Sequence, residues 1–185
     1  MKFVIGPSDV ALHYDFKENF LICLFILAPT SCFIAGTPIR LANGSTTIPI
    51  EQAQIDMELL GITGEINTVL AVRSQSLNGR RLYGFNGEQP FVTPEHPFRS
   101  PYNDSIRLVF DADFTRTNRP DLPPDFIQQI EVGSELLHFN VNSGQFEIVV
   151  VNSILHDANP LPNTTVYHFV TDSPSGVLGK YPMTF

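Results

Sequence analysis

Three residues of this sequence stand out for the chemistry their types and spacing allow. Cys32 lies in Ser31-Cys-Phe-Ile-Ala-Gly-Thr-Pro38, just after a segment unlike the rest of the chain. Thr93 and His96 lie far downstream in Phe91-Val-Thr-Pro-Glu-His-Pro-Phe98. A thiolate at such a junction can attack the carbonyl of the residue before it, here Ser31, through a five-membered ring. An amide would thereby become a thioester. The shift is uphill for a planar, resonance-stabilised peptide unless that peptide is distorted and its nitrogen protonated. His96 could protonate the nitrogen as general acid, and Thr93 could hydrogen-bond the strained peptide or the oxyanion. Pro94 and Pro97 bracket the pair in a tight turn that can aim both side chains at one point. Each residue alone has a plainer reading: a lone Cys is a small hydrophobe and a lone His a packed or surface residue. A late run, Thr165–Val170, carries a further histidine, His168. His13, His138 and His156 have no partner the sequence can name and default to structural or surface roles.

The elements that must position these residues read as strands. After Phe33 the chain is short apolar or alternating runs separated by turn chemistry. Asn43-Gly44, Asn78-Gly79 and Asn86-Gly87 are hairpin-turn pairs, because both central residues tolerate positive φ. Thr37–Leu41, Val69–Val72, Arg81–Phe85, Phe91–Thr93, Glu135–Asn140, Phe146–Leu155 and Thr165–Thr171 are rich in β-branched and aromatic residues and are predicted strands. Asn142-Ser143-Gly144 joins two of them as a hairpin, and only Ile50–Leu60 has helix-like spacing. Turns at this density predict an all-β domain, closed or wrapped so that its edges are protected. Residues 100–130, with Pro101, Pro120, Pro123, Pro124 and five aspartates, read as a long loop insertion with about one turn of helix. Their acids do not follow a calcium-loop pattern.

Composition removes whole classes of function. With 11 Lys+Arg against 19 Asp+Glu the net charge is −8, which argues against a nucleic-acid partner. A hydrophobic content of 43% is too high for general disorder. No apolar run approaches the roughly 20 residues needed to span a bilayer. Two cysteines cannot build a disulfide scaffold or a four-thiolate zinc site, and no close Cys or His ligand pair supports a metal. Residues 1–31 form a separate segment. Its apolar run, 20–28, contains Cys23 and is closed by Pro29, and its flank carries excess acid, unlike a signal peptide. A buried strand, the tail of an upstream protein, a leader peptide and a lipid-anchored cysteine all remain open. Localisation is therefore open too, soluble and secreted or cell-surface alike.

Cys32-Phe-Ile-Ala-Gly-Thr-Pro-Ile-Arg-Leu-Ala-Asn-Gly-Ser45, with Ile48-Pro-Ile-Glu51, resembles the opening of a Hint domain, the unit of hedgehog autoprocessing domains, inteins and bacterial intein-like proteins. Phe91–Phe98 resembles that family's Thr-x-x-His motif. Val132–Leu137 and Thr165–Val170 resemble its later strands. The likeness spans about residues 32–172. It implies a compact, horseshoe-like all-β fold over 32–185, with 1–31 as an extein-like or leader segment. It further implies self-cleavage at Ser31–Cys32, with Cys32 as nucleophile and Thr93 and His96 as helpers. The substrate would be the chain's own N-terminal segment, and water or a small nucleophile would resolve the thioester, in a monomer without cofactor or metal. Splicing members end in His-Asn, whereas this sequence reads Ser173-Pro-Ser-Gly through Met183-Thr-Phe185, so cleavage without complete splicing is expected. His168 stands where the family often has Asp or Asn, and so takes over a proton relay or marks decay. The alternatives are a degenerate Hint fold kept as a structural or interaction module, and a secreted or lipid-anchored protein processed near Cys32.

Overall fold

The computed structural model describes residues 31–183 apart from 63, 120–122, 141–142, 158, 162, 173–176 and 179–181. The apolar run 20–28 and Cys23 lie outside the described residues, as does Asn142. Strands dominate. β1 (Phe33–Ile34), β2 (Pro38–Arg40), β3 (Thr47–Pro49), β4 (Glu58–Leu60), β5 (Ile66–Ser76) and β6 (Leu82–Phe85) make up the first half. β7 (Phe98–Arg99), β8 (Arg107–Val109), α1 (Ala112–Asn118) and β9 (Ile127–Gln129) follow. β10 (Glu135–Asn140), β11 (Gln145–Val150), β12 (Ile154–Asp157), β13 (Thr165–Thr171), β14 (Val177–Leu178) and β15 (Pro182–Met183) complete them.

Two Asn-Gly pairs supply positive φ at turns, although β5 and β6, which the first of them joins, pair with other strands and make no hairpin. Asn78 and Gly79 adopt φ 52° and 73° between β5 and β6, and Asn86 and Gly87 adopt 52° and 82° after β6. The second turn folds the chain back so that Val92 bridges Tyr83 on one side and Phe33 on the other. The predicted strand at Phe91–Thr93 is thus reduced to bridging pairs, and it links β1 to β6. The Asn86 side chain then ties in the β11–β12 corner, accepting from Asn152 N at 2.7 Å and donating to Val150 O at 2.8 Å.

β13 is the centre of a four-stranded sheet ordered β1-β13-β5-β4. Its register pairs Phe33 with Tyr167 and Ile34 with Val166 on one side, and Gln75 with Val166 and Arg73 with His168 on the other. Because side chains alternate across a strand, Ile34, Val166, His168, Arg73 and Gln75 share one face, while Phe33 and Phe169 point to the other. Phe33 and Phe169 enter the main core with Leu59, Val69, Phe85 and Phe98. Each such ring, fully buried, stabilises the fold by about 1.5–3 kcal/mol. A smaller apolar cluster on the first face holds Cys32, Leu77, Leu82 and Val166. The Ser31–Cys32 peptide therefore lies at the boundary of two cores.

Two expectations change in detail. Ile50–Leu60 is not a helix: a 3₁₀ turn at Ile50–Gln52 leads into β4. Asp56 takes φ 67°, which ends any helical path, and Leu59 is buried by pairing with Asn67 of β5. Tertiary pairing overrides the local pattern. Residues 100–130, expected as a loop, carry the parallel pair β8–β9 and the seven-residue α1 between their turns. Asp111 caps α1 by accepting from Phe114 N at 2.9 Å, and Val109, Ala112 and Ile127 bury a small core beneath it.

Candidate functional site

The chain converges on the Ser31–Cys32 peptide from four elements. From the Thr-Pro-Glu-His turn, Thr93 Oγ1 accepts a hydrogen bond from Cys32 N at 2.9 Å, and Thr93 N donates to Cys32 O at 3.0 Å. The hydroxyl thus faces the nitrogen that would leave in an acyl shift. His96 N donates to Thr93 O at 3.2 Å, which closes the turn. The His96 ring is fully buried, 4.2 Å from the Phe33 ring and 5.5 Å from that of Phe98. Burial, then the charges of His168 and Arg119, push its pKa well below the ordinary histidine value, so the ring is neutral at pH 7.

From β13, His168 forms a hydrogen bond with the Ser31 backbone. That bond favours the protonated ring, as donation from an imidazole N–H to a carbonyl does. Burial outweighs it, with help from Arg73 and Arg119, and holds the pKa at about 4. From the end of α1, Arg119 Nη1 donates to Ser31 Oγ at 3.2 Å. Ser31 itself is only 3% exposed. The stretch expected as a solvated loop therefore reaches the peptide that the sequence singles out.

The Cys32 sulfur lies in the smaller core, 0% exposed. Burial raises its pKa, while a hydrogen bond from Gln75 and the Arg80 guanidinium pull it back down. Gln75 Nε2 lies 3.3 Å from Sγ. Arg80 is paired at 2.7 Å with Glu95, a wholly buried carboxylate inside the Thr-x-x-His turn. Among the described residues no group of three or more His, Cys, Asp or Glu is gathered to hold a metal ion, and no helix is long and apolar enough to cross a membrane.

All five residues singled out from the sequence, Ser31, Cys32, Thr93, His96 and His168, thus meet at one place. His138 and His156 lie elsewhere, on β10 and β12, where His156 packs near Tyr83. Sequence reasoning missed Gln75, Arg80, Glu95 and Arg119. Register against β13 would have found Gln75, and the Asn78-Gly79 turn hinted that Arg80 returns toward the strand it leaves. Nothing in the sequence marks Arg119.

A central strand flanked by the segment after Cys32 thus stands beside a Thr-x-x-His turn set against that cysteine. No family model matches the chain, and no curated protein does. Solved structures do. The chain is similar to a bacterial intein-like domain from Clostridium thermocellum, at 20% identity over 83% of this chain and 98% of that one, with a TM-score of 0.56. It is similar to a DnaB intein from Synechocystis, at 13% identity over 84% and 99% with a TM-score of 0.53. The PabCDC21-1 intein matches at 16% identity over 80% and 94%, also with a TM-score of 0.53. At such identities the likeness is one of fold, and the all-β Hint fold expected from the motifs is the fold found.

Proposed function

We propose that this domain cuts its own chain at the Ser31–Cys32 bond by an N-to-S acyl shift. The observation that carries the reading is the convergence on that one peptide: Thr93 Oγ1 at its nitrogen, His168 at the Ser31 backbone and Arg119 at the Ser31 hydroxyl. The thiol proton passes to water, and the electron pair left on Sγ forms a bond to the Ser31 carbonyl carbon. His168 polarises that carbonyl as charge gathers on its oxygen. Collapse breaks the C–N bond, and His96, charged with a proton from water, protonates the departing Cys32 nitrogen. A ring whose pKa is held low gives up that proton readily. Water then attacks the thioester carbonyl and releases residues 1–31 as an acid, or a small nucleophile attacks and carries them away as its own acyl derivative; either way the Cys32 thiol is restored. The reading covers this N-terminal cut alone.

The test is the intact mass of freshly purified chain, with and without dithiothreitol, beside a Cys32→Ala variant. A fragment beginning at Cys32, formed faster with thiol and absent from the variant, is expected. Unchanged mass after long incubation with thiol, or equal cleavage in Cys32→Ala, overturns the reading.

One observation favours a second reading, a Hint fold kept as a structural or interaction module. The Cys32 thiol is buried, and its pKa is raised, so thiolate is scarce at neutral pH. In that case the chain stays intact in the same experiment.

A further inference from the structure

The Cys32 sulfur has a polar cradle to which the acyl shift described above gives no role. Gln75 Nε2 donates to Sγ at 3.3 Å from the strand that pairs with β13. The Arg80 guanidinium also hydrogen-bonds the sulfur. Arg80 is fixed twice over: Nε donates to Leu77 O at 3.1 Å, and Nη1 meets Glu95 Oε1 at 2.7 Å. The Glu95 side chain is 0% exposed and that of Arg80 only 16%. Burying such a pair costs several kcal/mol per ion before the partners attract one another, so it is a poor device for stability alone. It stands against an otherwise apolar thiol, among Leu77, Leu82 and Val166. A neutral thiol gains little from two strong donors, whereas a thiolate gains much.

We propose that Gln75 and Arg80 form an anion hole for the Cys32 thiolate, and that Glu95 is the positioning residue that aims Arg80 into it. The inference rests on the acyl shift proposed above and adds to it the groups that touch the sulfur. When the thiol proton leaves, the electron pair stays on Sγ between these donors. The same pair then becomes the S–C bond to Ser31, and the charge passes to the carbonyl oxygen. Arg80 and Glu95 are the charged groups whose fields reach the thiol. The cation favours the thiolate, and the carboxylate opposes it while holding the cation in place.

The experiment is a 13C NMR titration of cysteine Cβ in the full chain, carrying Cys23→Ser so that one thiol reports. Mass spectrometry verifies that the Ser31–Cys32 bond is intact during the titration. Gln75→Leu and Arg80→Met are each expected to raise the thiol titration by about one pH unit, a tenfold loss of thiolate at a given pH. Cleavage should slow by about tenfold near neutrality and approach the parent rate at pH values above the thiol titration. A purely structural role would not produce that convergence. Arg80→Lys, which keeps a cation beside Glu95, should restore most of the effect. Arg80→Met strands a buried carboxylate; should it fail to fold, the uncharged Gln75→Leu carries the test with Arg80→Lys. A thiol titration unmoved in the folded variants overturns the anion hole. A shifted titration in a chain that never cleaves upholds the hole and overturns the acyl shift. Cleavage indifferent to both substitutions does the reverse.

Discussion

Thr93 holds Cys32 by two hydrogen bonds, one to its hydroxyl and one from its own backbone nitrogen. The hydroxyl is what distinguishes this residue from an isosteric valine. Thr93→Val leaves the buried Cys32 N–H without its acceptor, at a cost of about 1–3 kcal/mol. It also frees the peptide nitrogen at which the proton must arrive. The expected outcome is a lower denaturation midpoint together with slower cleavage, while Thr93→Ser, which keeps the oxygen, stays close to the parent on both measures. Cleavage at the parent rate in Thr93→Val would remove Thr93 from the reaction. The identities of Cys32, Thr93 and His96 were legible in the sequence because a nucleophile and a spaced pair of polar residues have few common uses together. Gln75 and Arg119 were not legible, since a single amide or guanidinium declares no purpose until its neighbour is known.

At the scale of elements, the site depends on the turn after β6 returning the chain to β1. Gly84 makes that return possible. A Cβ added there would lie 2.6 Å from Glu88 O and 2.8 Å from Gln89 O, both backbone atoms that cannot swing aside. Gly84→Ala should therefore force the Phe91–Thr93 segment away from β6, at a cost of about 1–3 kcal/mol, the usual range for overpacking. Because that segment carries Thr93 to Cys32, cleavage should fall along with stability. Chemical denaturation and the cleavage rate check it, and a variant with parent-like values of both would disprove the coupling. The Asn-Gly turns and the strand at Thr165–Thr171 were readable from local chemistry alone. Ile50–Leu60 was not, because its helix-like spacing serves a strand that pairs with β5. Nor were β8 and β9, whose parallel pairing joins segments separated by α1.

For the whole molecule, folding buries histidines in their neutral form. His168 is held at about 4, first by burial and then by Arg73 of β5 and Arg119 beyond α1. The unfolded chain takes up a proton near the ordinary value of 6.5, and the native chain does not. The resulting stability is full above that value and is lost as pH falls toward 4. For His168 this is on the order of 3 kcal/mol. His96, lowered in the same direction, adds to it. Glu95 acts oppositely, since burial raises its carboxyl and favours the protonated form in the fold. Comparison with His168→Gln isolates the histidine: its Tm should fall less than the parent's between pH 7 and 4.5. Equal acid losses in the two proteins would show that His168 is not buried neutral.

By itself the sequence determined that the chain is all-β, that its turns lie at Asn-Gly pairs, and which cysteine, threonine and histidines were worth following. Those features are local: period-two patterning, positive-φ turn residues and the reactivity of single side chains act over a few residues. Only the tertiary structure decided that β13 lies between β1 and β5, which sets His168 and Gln75 on the face that carries the Cys32 sulfur. Only it brought Arg119 from a Pro- and Asp-rich stretch to the Ser31 hydroxyl, and Glu95 with Arg80 to the thiol. Strand order and register are fixed by how two hydrophobic faces bury each other across the whole molecule, and no window of sequence contains that information.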